Sequence, residues 1–381
     1  MGIENIGRCS VKDALEVGMM KQVVVGIASY GMSGKVFHAP LLSDHAGFRL
    51  KRIIQRTGDD AKQSYPDVYV SRSIEDLLND PEIELVVLNT PDKTHYDLAI
   101  QCLEVGKHVV LEKPMTQTVA QAEELIEIAA RRQKMLTVFH NRRWDGDFLT
   151  VSKVVRSNVL GHVVEFESHY DRYRNFIQPN TWKERSKDGA SILFNLGSHM
   201  IDQALVLFGM PEAVTAHLRV VRPGGDVDDW YDIRLHYAGL TALLRASYLV
   251  KEPGPRYILQ GTNGTFFKYG LDPQEEALKQ GIDPRSSGWG IESVEWFGTL
   301  VTEKDGVTQS VKLQTVPGNY NAFYNGVVDC LRNGTEPPVK PVEAANVIRI
   351  IEAAQRSSRK RATIEHWGKR ESRDEHRRKT K

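Results

Sequence analysis

Short apolar runs alternate with longer amphipathic stretches through the first third of the chain. Val23–Ile27, Leu85–Leu88 and His108–Leu111 are brief, unbroken and rich in Val and Leu, the pattern of strands covered on both faces. Between and after them, Leu98, Ala99, Cys102 and Leu103, then Val119, Ala122, Leu125, Ile126 and Ala129, recur at helical spacing before a further strand-like run at Leu136–Phe139. This β–α alternation predicts a doubly wound parallel sheet over residues 21–145. Beyond Trp144 the period falls to two. Val164, Phe166, Ser168 and Tyr170 alternate with Glu165, Glu167 and His169, and the rhythm returns at Tyr231–Tyr237 and Ala242–Val250. Antiparallel strands with one covered face are expected there, interrupted by a helix near 190–208 and followed by helices near 320–332 and 342–357. The fold class is therefore α/β: a Rossmann-type domain at 21–145, then an α+β domain of mainly antiparallel strands at 146–368. Residues 1–20 read as an N-terminal extension and residues 369–381 as a basic, disordered tail.

Composition narrows the class. At 381 residues the chain exceeds one ordinary domain. Its 50 basic and 49 acidic residues nearly cancel, which argues against a nucleic-acid partner. The tail holds an excess of basic residues, so the body is mildly acidic. No apolar stretch reaches the roughly 18 residues that span a bilayer, so no membrane association is expected. Cys9, Cys102 and Cys330 lie far apart and fit neither a disulfide framework nor a zinc site. The first twenty residues lack the apolar core of a secretory signal, and Met19 and Met20 directly precede the first strand. Together these features imply a cytoplasmic protein with no metal.

The first strand runs into Ser29-Tyr30-Gly31-Met32-Ser33-Gly34 and then a helical stretch, Lys35–Ser43. A glycine-rich strand-to-helix turn lets backbone amides approach a pyrophosphate at a helix N-terminus. Gly31 and Gly34 fill two of the three fingerprint positions, and Ser29 stands where the first glycine is usual. The second strand, Leu50–Gln55, is followed by Arg56 rather than by the acidic residue that usually meets a free ribose 2′-hydroxyl. An arginine suits a 2′-phosphate, so NADP is favoured over NAD. The alternative leaves Arg56 in solvent while Asp59 or Asp60 reaches back to the ribose.

Asn89-Thr90-Pro91-Asp92-Lys93-Thr94-His95 follows the fourth strand and Glu112-Lys113-Pro114 the fifth. With the turn at Gly31 and the β-rich second half, these segments resemble the Gfo/Idh/MocA oxidoreductases over roughly residues 21–366. The resemblance is nearest to the branch holding NADP-dependent scyllo-inositol dehydrogenases. It rests also on Val36–Pro40, Phe139–Asp145 and Lys268–Glu276. It implies a large open sheet in the second domain, and cofactor contacts from Ser29, Tyr30, Gly31, Ser33, Gly34, Arg56, Thr90, Pro91, His95, Glu112 and Lys113. Lys113 is expected beside the nicotinamide, where an ammonium stabilises charge developing on the substrate oxygen. His199 is expected to be the acid/base, with an imidazole near its ordinary pKa. Asn195 replaces the family's usual aspartate four residues before His199. It could orient a hydroxyl or the imidazole but carries no charge, and Asp202 could compensate from the next turn. Arg142, Trp144, Tyr170, Asp202 and Tyr320 are the candidate substrate contacts. His140 reads as structural.

The resemblance implies an NADP(H)-dependent oxidoreductase for a secondary alcohol of a cyclic polyol or sugar, assembled as a homodimer or homotetramer. The alternative, favoured only by Asn195, is a cofactor-binding regulator of the same fold with little or no turnover.

Overall fold

The structure, a computed structural model, describes residues 21–179, 181, 184 and 191–365. The expected N-terminal extension and basic tail lie outside these residues. Six parallel strands, β1 (Val23–Ile27), β2 (Phe48–Ile54), β3 (Tyr69–Ser71), β4 (Leu85–Leu88), β5 (His108–Leu111) and β6 (Leu136–Val138), form a sheet of order β3-β2-β1-β4-β5-β6. Every residue of β1, β4 and β6 is buried, as helices on both faces require. The chain runs outward from β1 through β2 and β3, then returns to β4 on the other side of β1. That reversal sets the carboxyl ends of β1 and β4 side by side, where ligands of open α/β sheets bind. The helix Val119–Arg132 is closed at its start by a capping box between Thr118 and Gln121, which satisfies two otherwise orphaned amides.

The second sheet is mixed but mostly antiparallel. Its strands are β7 (Val163–His169), β8 (Ala213–Arg219), β9 (Trp230–Tyr237), β10 (Leu240–Ser247), β11 (Tyr257–Gly261), β12 (Gly264–Lys268), β13 (Gly298–Lys304) and β14 (Val307–Leu313). Their order is β14-β13-β12-β11-β7-β10-β9-β8, with β7 and β10 parallel. Long helices cover one face: Pro341–Lys360 packs on β8 and Ser198–Phe208 against β10.

Two helices expected to be continuous are each built in two pieces. Gly34–His38 and Leu193–Gly197 are π-helical turns that lead into the α-helices Ala39–Ser43 and Ser198–Phe208. Such turns recur at functional sites because the extra residue re-aims side chains. The last helices also reach back across the domain boundary. Glu352 accepts from the Val119 amide at 2.8 Å, Thr137 donates to the Val339 carbonyl at 2.8 Å, and Tyr324 bonds His38 at 2.7 Å. The chain's end thus braces the first domain.

Candidate active site

The turn after β1 is held by side chains from the turn after β4. Asn89 Nδ2 donates to the Ser29 carbonyl at 2.8 Å and to Ser33 Oγ at 3.3 Å. Its Oδ1 is buried without a partner, a cost normally met by some donor. Gly34 is obligatory, since a Cβ there would collide with the Ser29 carbonyl oxygen, whereas Gly31 meets nothing nearer than Ser29 Oγ at 3.5 Å. The open side at Gly31 is the side on which a phosphate would approach. Tyr30 is buried edge-on to Tyr65, with Lys35 Nζ 5.2 Å from its ring centre. Thr90 Oγ1 bonds Thr94, and His95 clamps two loops, with Nδ1 2.9 Å from the Pro114 carbonyl and Nε2 2.9 Å from that of Thr90. Pro91 starts the turn Asp92–Thr94 that leads to His95.

At the end of β2, both acidic alternatives are engaged: Asp59 pairs with Arg72 at 2.7 Å and Asp60 with Lys35 at 2.7 Å. Arg56 is exposed, and no hydrogen bond or ion pair engages it among the described residues. The turn, the unsatisfied Asn89 oxygen and the cations at β2 fit a dinucleotide.

At the end of β5, Lys113 bridges the domains. Its Nζ donates to the Asn195 carbonyl at 2.9 Å and to Asn195 Oδ1 at 3.1 Å. Asn195 therefore orients the lysine through its carbonyl and its side-chain oxygen. Glu112 lies beneath, receiving the Lys113 amide at 3.0 Å and facing His38 Nε2 at 3.1 Å. Burial works to raise its pKa, but bonds and charges from His38 and Lys113 outweigh burial and hold the carboxyl below its ordinary range.

His199 is the neutral imidazole expected, but its pKa departs from the ordinary value. Burial, reinforced by the charges of Lys113, Arg142 and Arg256, drives its pKa well below the ordinary histidine value. The ring is neutral at physiological pH, and its buried Nδ1 has no hydrogen-bond partner. Its ring and that of His140 stand at 85°, with centroids 6.1 Å apart.

The expected substrate contacts divide. Tyr170 is buried, with the guanidinium groups of Arg142, Arg172 and Arg256 4.8–5.3 Å from its ring centre. Arg142 is itself paired with Asp145 at 3.1 Å and Glu275 at 2.5 Å. Trp144 is partly buried against Phe323. Two assignments need correction. Asp202 is held by Arg143 through bonds of 2.8 and 2.6 Å and lies 4.0 Å from His140 Nδ1, so it is a buried ion-pair partner rather than a contact for substrate. Tyr320 is fully buried and donates to Asp145 at 2.6 Å; it supports Arg142 through Asp145 and presents no hydroxyl to a ligand. His38, Asn89 and His140 escaped notice as site residues because their partners lie tens to hundreds of residues away. A cavity of about 660 Å³ bordered by Arg143, Trp144, Phe148 and Val206 is lined by neither Lys113 nor His199.

A family model described as an oxidoreductase family with an NAD-binding Rossmann fold matches residues 20–140, and its companion, the C-terminal alpha/beta domain, matches residues 152–365. The chain belongs to the Gfo/Idh/MocA oxidoreductase family. Like other Gfo/Idh/MocA proteins it is an oxidoreductase with a nicotinamide-cofactor fold. It is 40% identical over 342 residues to the Bacillus subtilis scyllo-inositol 2-dehydrogenase (NADP(+)) IolW, covering 90% of this chain and 95% of that protein. It is 40% identical to the uncharacterized oxidoreductase YdgJ of Escherichia coli, covering 91% and 99%. The solved structure of yvaA from Bacillus subtilis superposes with a TM-score of 0.88 at 39% identity, covering 91% and 98%.

Proposed function

We propose that the protein is an NADP(H)-dependent dehydrogenase or reductase for a secondary alcohol or ketone of a cyclic polyol or sugar, scyllo-inositol being the nearest model. The observation that carries this is the pairing of Lys113, pinned by both oxygens of Asn195, with a buried neutral His199 four residues farther along. The similarity to IolW supports the substrate class. NADP is supported by Arg56, left without an ion pair while Asp59 and Asp60 are both engaged.

Ser29, Tyr30, Gly31, Ser33, Gly34, Thr90 and Pro91 would hold the dinucleotide, and Arg56 its 2′-phosphate. The bound nicotinamide supplies the hydride acceptor or donor. Lys113 stabilises negative charge on the substrate oxygen, in a position fixed beforehand by Asn195. His199, neutral at rest, takes the hydroxyl proton during oxidation and returns it during reduction. We further propose self-association as a homodimer or homotetramer through the sheet face that no helix covers, and residence in the cytoplasm. Among the described residues no helix is long and apolar enough to cross a membrane.

The test is a screen of inositols, aldoses and ketoses with NADPH/NADP and NADH/NAD, alongside Lys113→Ala. A polyol should be turned over, with Lys113→Ala lowering kcat by about 10²-fold or more while NADPH still binds. If NADPH binds but no substrate changes its absorbance, the regulatory alternative replaces this proposal.

A further inference from the structure

His140 reads as structural from the sequence, yet its surroundings are unusual. It follows the edge strand β6, beside β5, and its ring is 1% exposed. Neither ring nitrogen has a hydrogen-bond partner. A buried imidazole with two unsatisfied nitrogens is costly and calls for a reason. His199 Nδ1 is also buried and unpartnered, and the two imidazoles stand at 85° to each other with centroids 6.1 Å apart. Asp202 Oδ2, from the same helix as His199, stands 4.0 Å from His140 Nδ1. Three unsatisfied imidazole nitrogens and a carboxylate thus share one buried space. Hydrogen bonds between catalytic groups are often long before substrate binds and shorten afterwards.

We propose that His140 is a positioning residue that couples His199 to Asp202, fixing the tautomer of His199 and sharing the proton that His199 takes from substrate. The proposal rests on the polyol reading of the site. In oxidation the substrate O–H bond breaks and its proton binds one nitrogen of His199. The proton on the opposite nitrogen then passes to His140, leaving one positive charge near the Asp202 carboxylate, while the hydride leaves with the cofactor. Reduction runs the same transfers backwards. The groups facing His140 are Asp202 from the helix Ser198–Phe208, Arg143 from its own turn, and Lys113 and Glu112 from the end of β5; those facing His199 are Lys113, Arg142, Arg256 and His140. Burial holds His140 at about 4, with Asp202 opposing and Arg143 and Lys113 reinforcing. The pair therefore rests neutral. Arg143, bonded to both Asp202 oxygens, fixes the carboxylate in place.

Two variants of the full chain test this. His140→Phe keeps the ring volume and removes both nitrogens; His140→Gln keeps hydrogen bonding but cannot carry the proton. With ¹⁵N-labelled histidine, the His199 ring signals report its tautomer without any substrate. His140→Phe should change the tautomer ratio of His199, and His140→Gln should restore much of it. On any polyol that the wild type turns over, His140→Phe should lower kcat by roughly 10²-fold and move the acidic limb of the kcat–pH profile, with KM within about threefold. His140→Gln should recover part of kcat but keep the displaced limb. Unchanged His199 signals in His140→Phe overturn the coupling, even where that variant melts at a lower temperature. Failure of the wild type to turn over any polyol overturns the polyol reading and leaves the tautomer result to decide the coupling.

Discussion

Arg56 is exposed and unpaired at the end of β2, in a loop where both neighbouring carboxylates already hold cations. An anionic 2′-phosphate would meet a free guanidinium, whereas a ribose diol would meet no available carboxylate. Arg56→Ala should therefore weaken NADPH binding about tenfold or more while changing NADH binding little, as read by fluorescence titration with each cofactor. Equal loss for both would remove Arg56 from the phosphate site. Other residue-level outcomes depended on partners that no local pattern reveals. Lys113 was recognisable from Glu112-Lys113-Pro114, but its engagement by the carbonyl and side-chain oxygens of Asn195, 82 residues away, was not. The same holds for Asp202, which sequence left free and Arg143 occupies, and for His199, whose ordinary pKa was overturned by burial among cations.

Elements were legible where both faces or one whole stripe is apolar. The buried strands β1, β4 and β5 and the helix Val119–Arg132 follow the sequence pattern closely. β13 and β14 were not anticipated, because most of their residues are partly or fully exposed and no clean alternation survives. Their signal lay in the turn: Asp305-Gly306 joins them with both residues at positive φ, the geometry that favours Asp-Gly in tight hairpins. The exposed face of this sheet bears on assembly. Ile258, Phe267 and Val301 share the face turned away from the helices and are partly exposed there, whereas Phe166 and Tyr257 face the helix Ser198–Phe208. Sedimentation at micromolar concentration should give a dimer or tetramer; a single monomeric species would reject the proposed self-association.

At the scale of the whole molecule, acid stability follows from histidines folded in the neutral state. Burial holds both His108 and His140 at about 4, with Lys134 adding to the effect at His108 and Asp202 partly offsetting it at His140. The unfolded chain protonates these rings below about 6.5, so between roughly pH 6.5 and 4 it binds more protons than the native state and stability falls as pH falls. Asp272, raised to about 6 by burial and by Asp147, acts in the opposite direction over part of that range. The melting temperature should drop across this window, and His140→Phe should lose less stability than the wild type, by up to about 1.4 kcal/mol per pH unit. Identical slopes for the two proteins would mean that His140 does not remain neutral in the fold. Sequence by itself determined the two-domain α/β plan, the dinucleotide turn and Lys113, because period, glycine spacing and short motifs are local and survive in a linear chain. Tertiary structure decided which charges are free, which imidazoles stay neutral and how Asn195 is used. Those properties arise from desolvation and from partners that only folding brings within bonding distance.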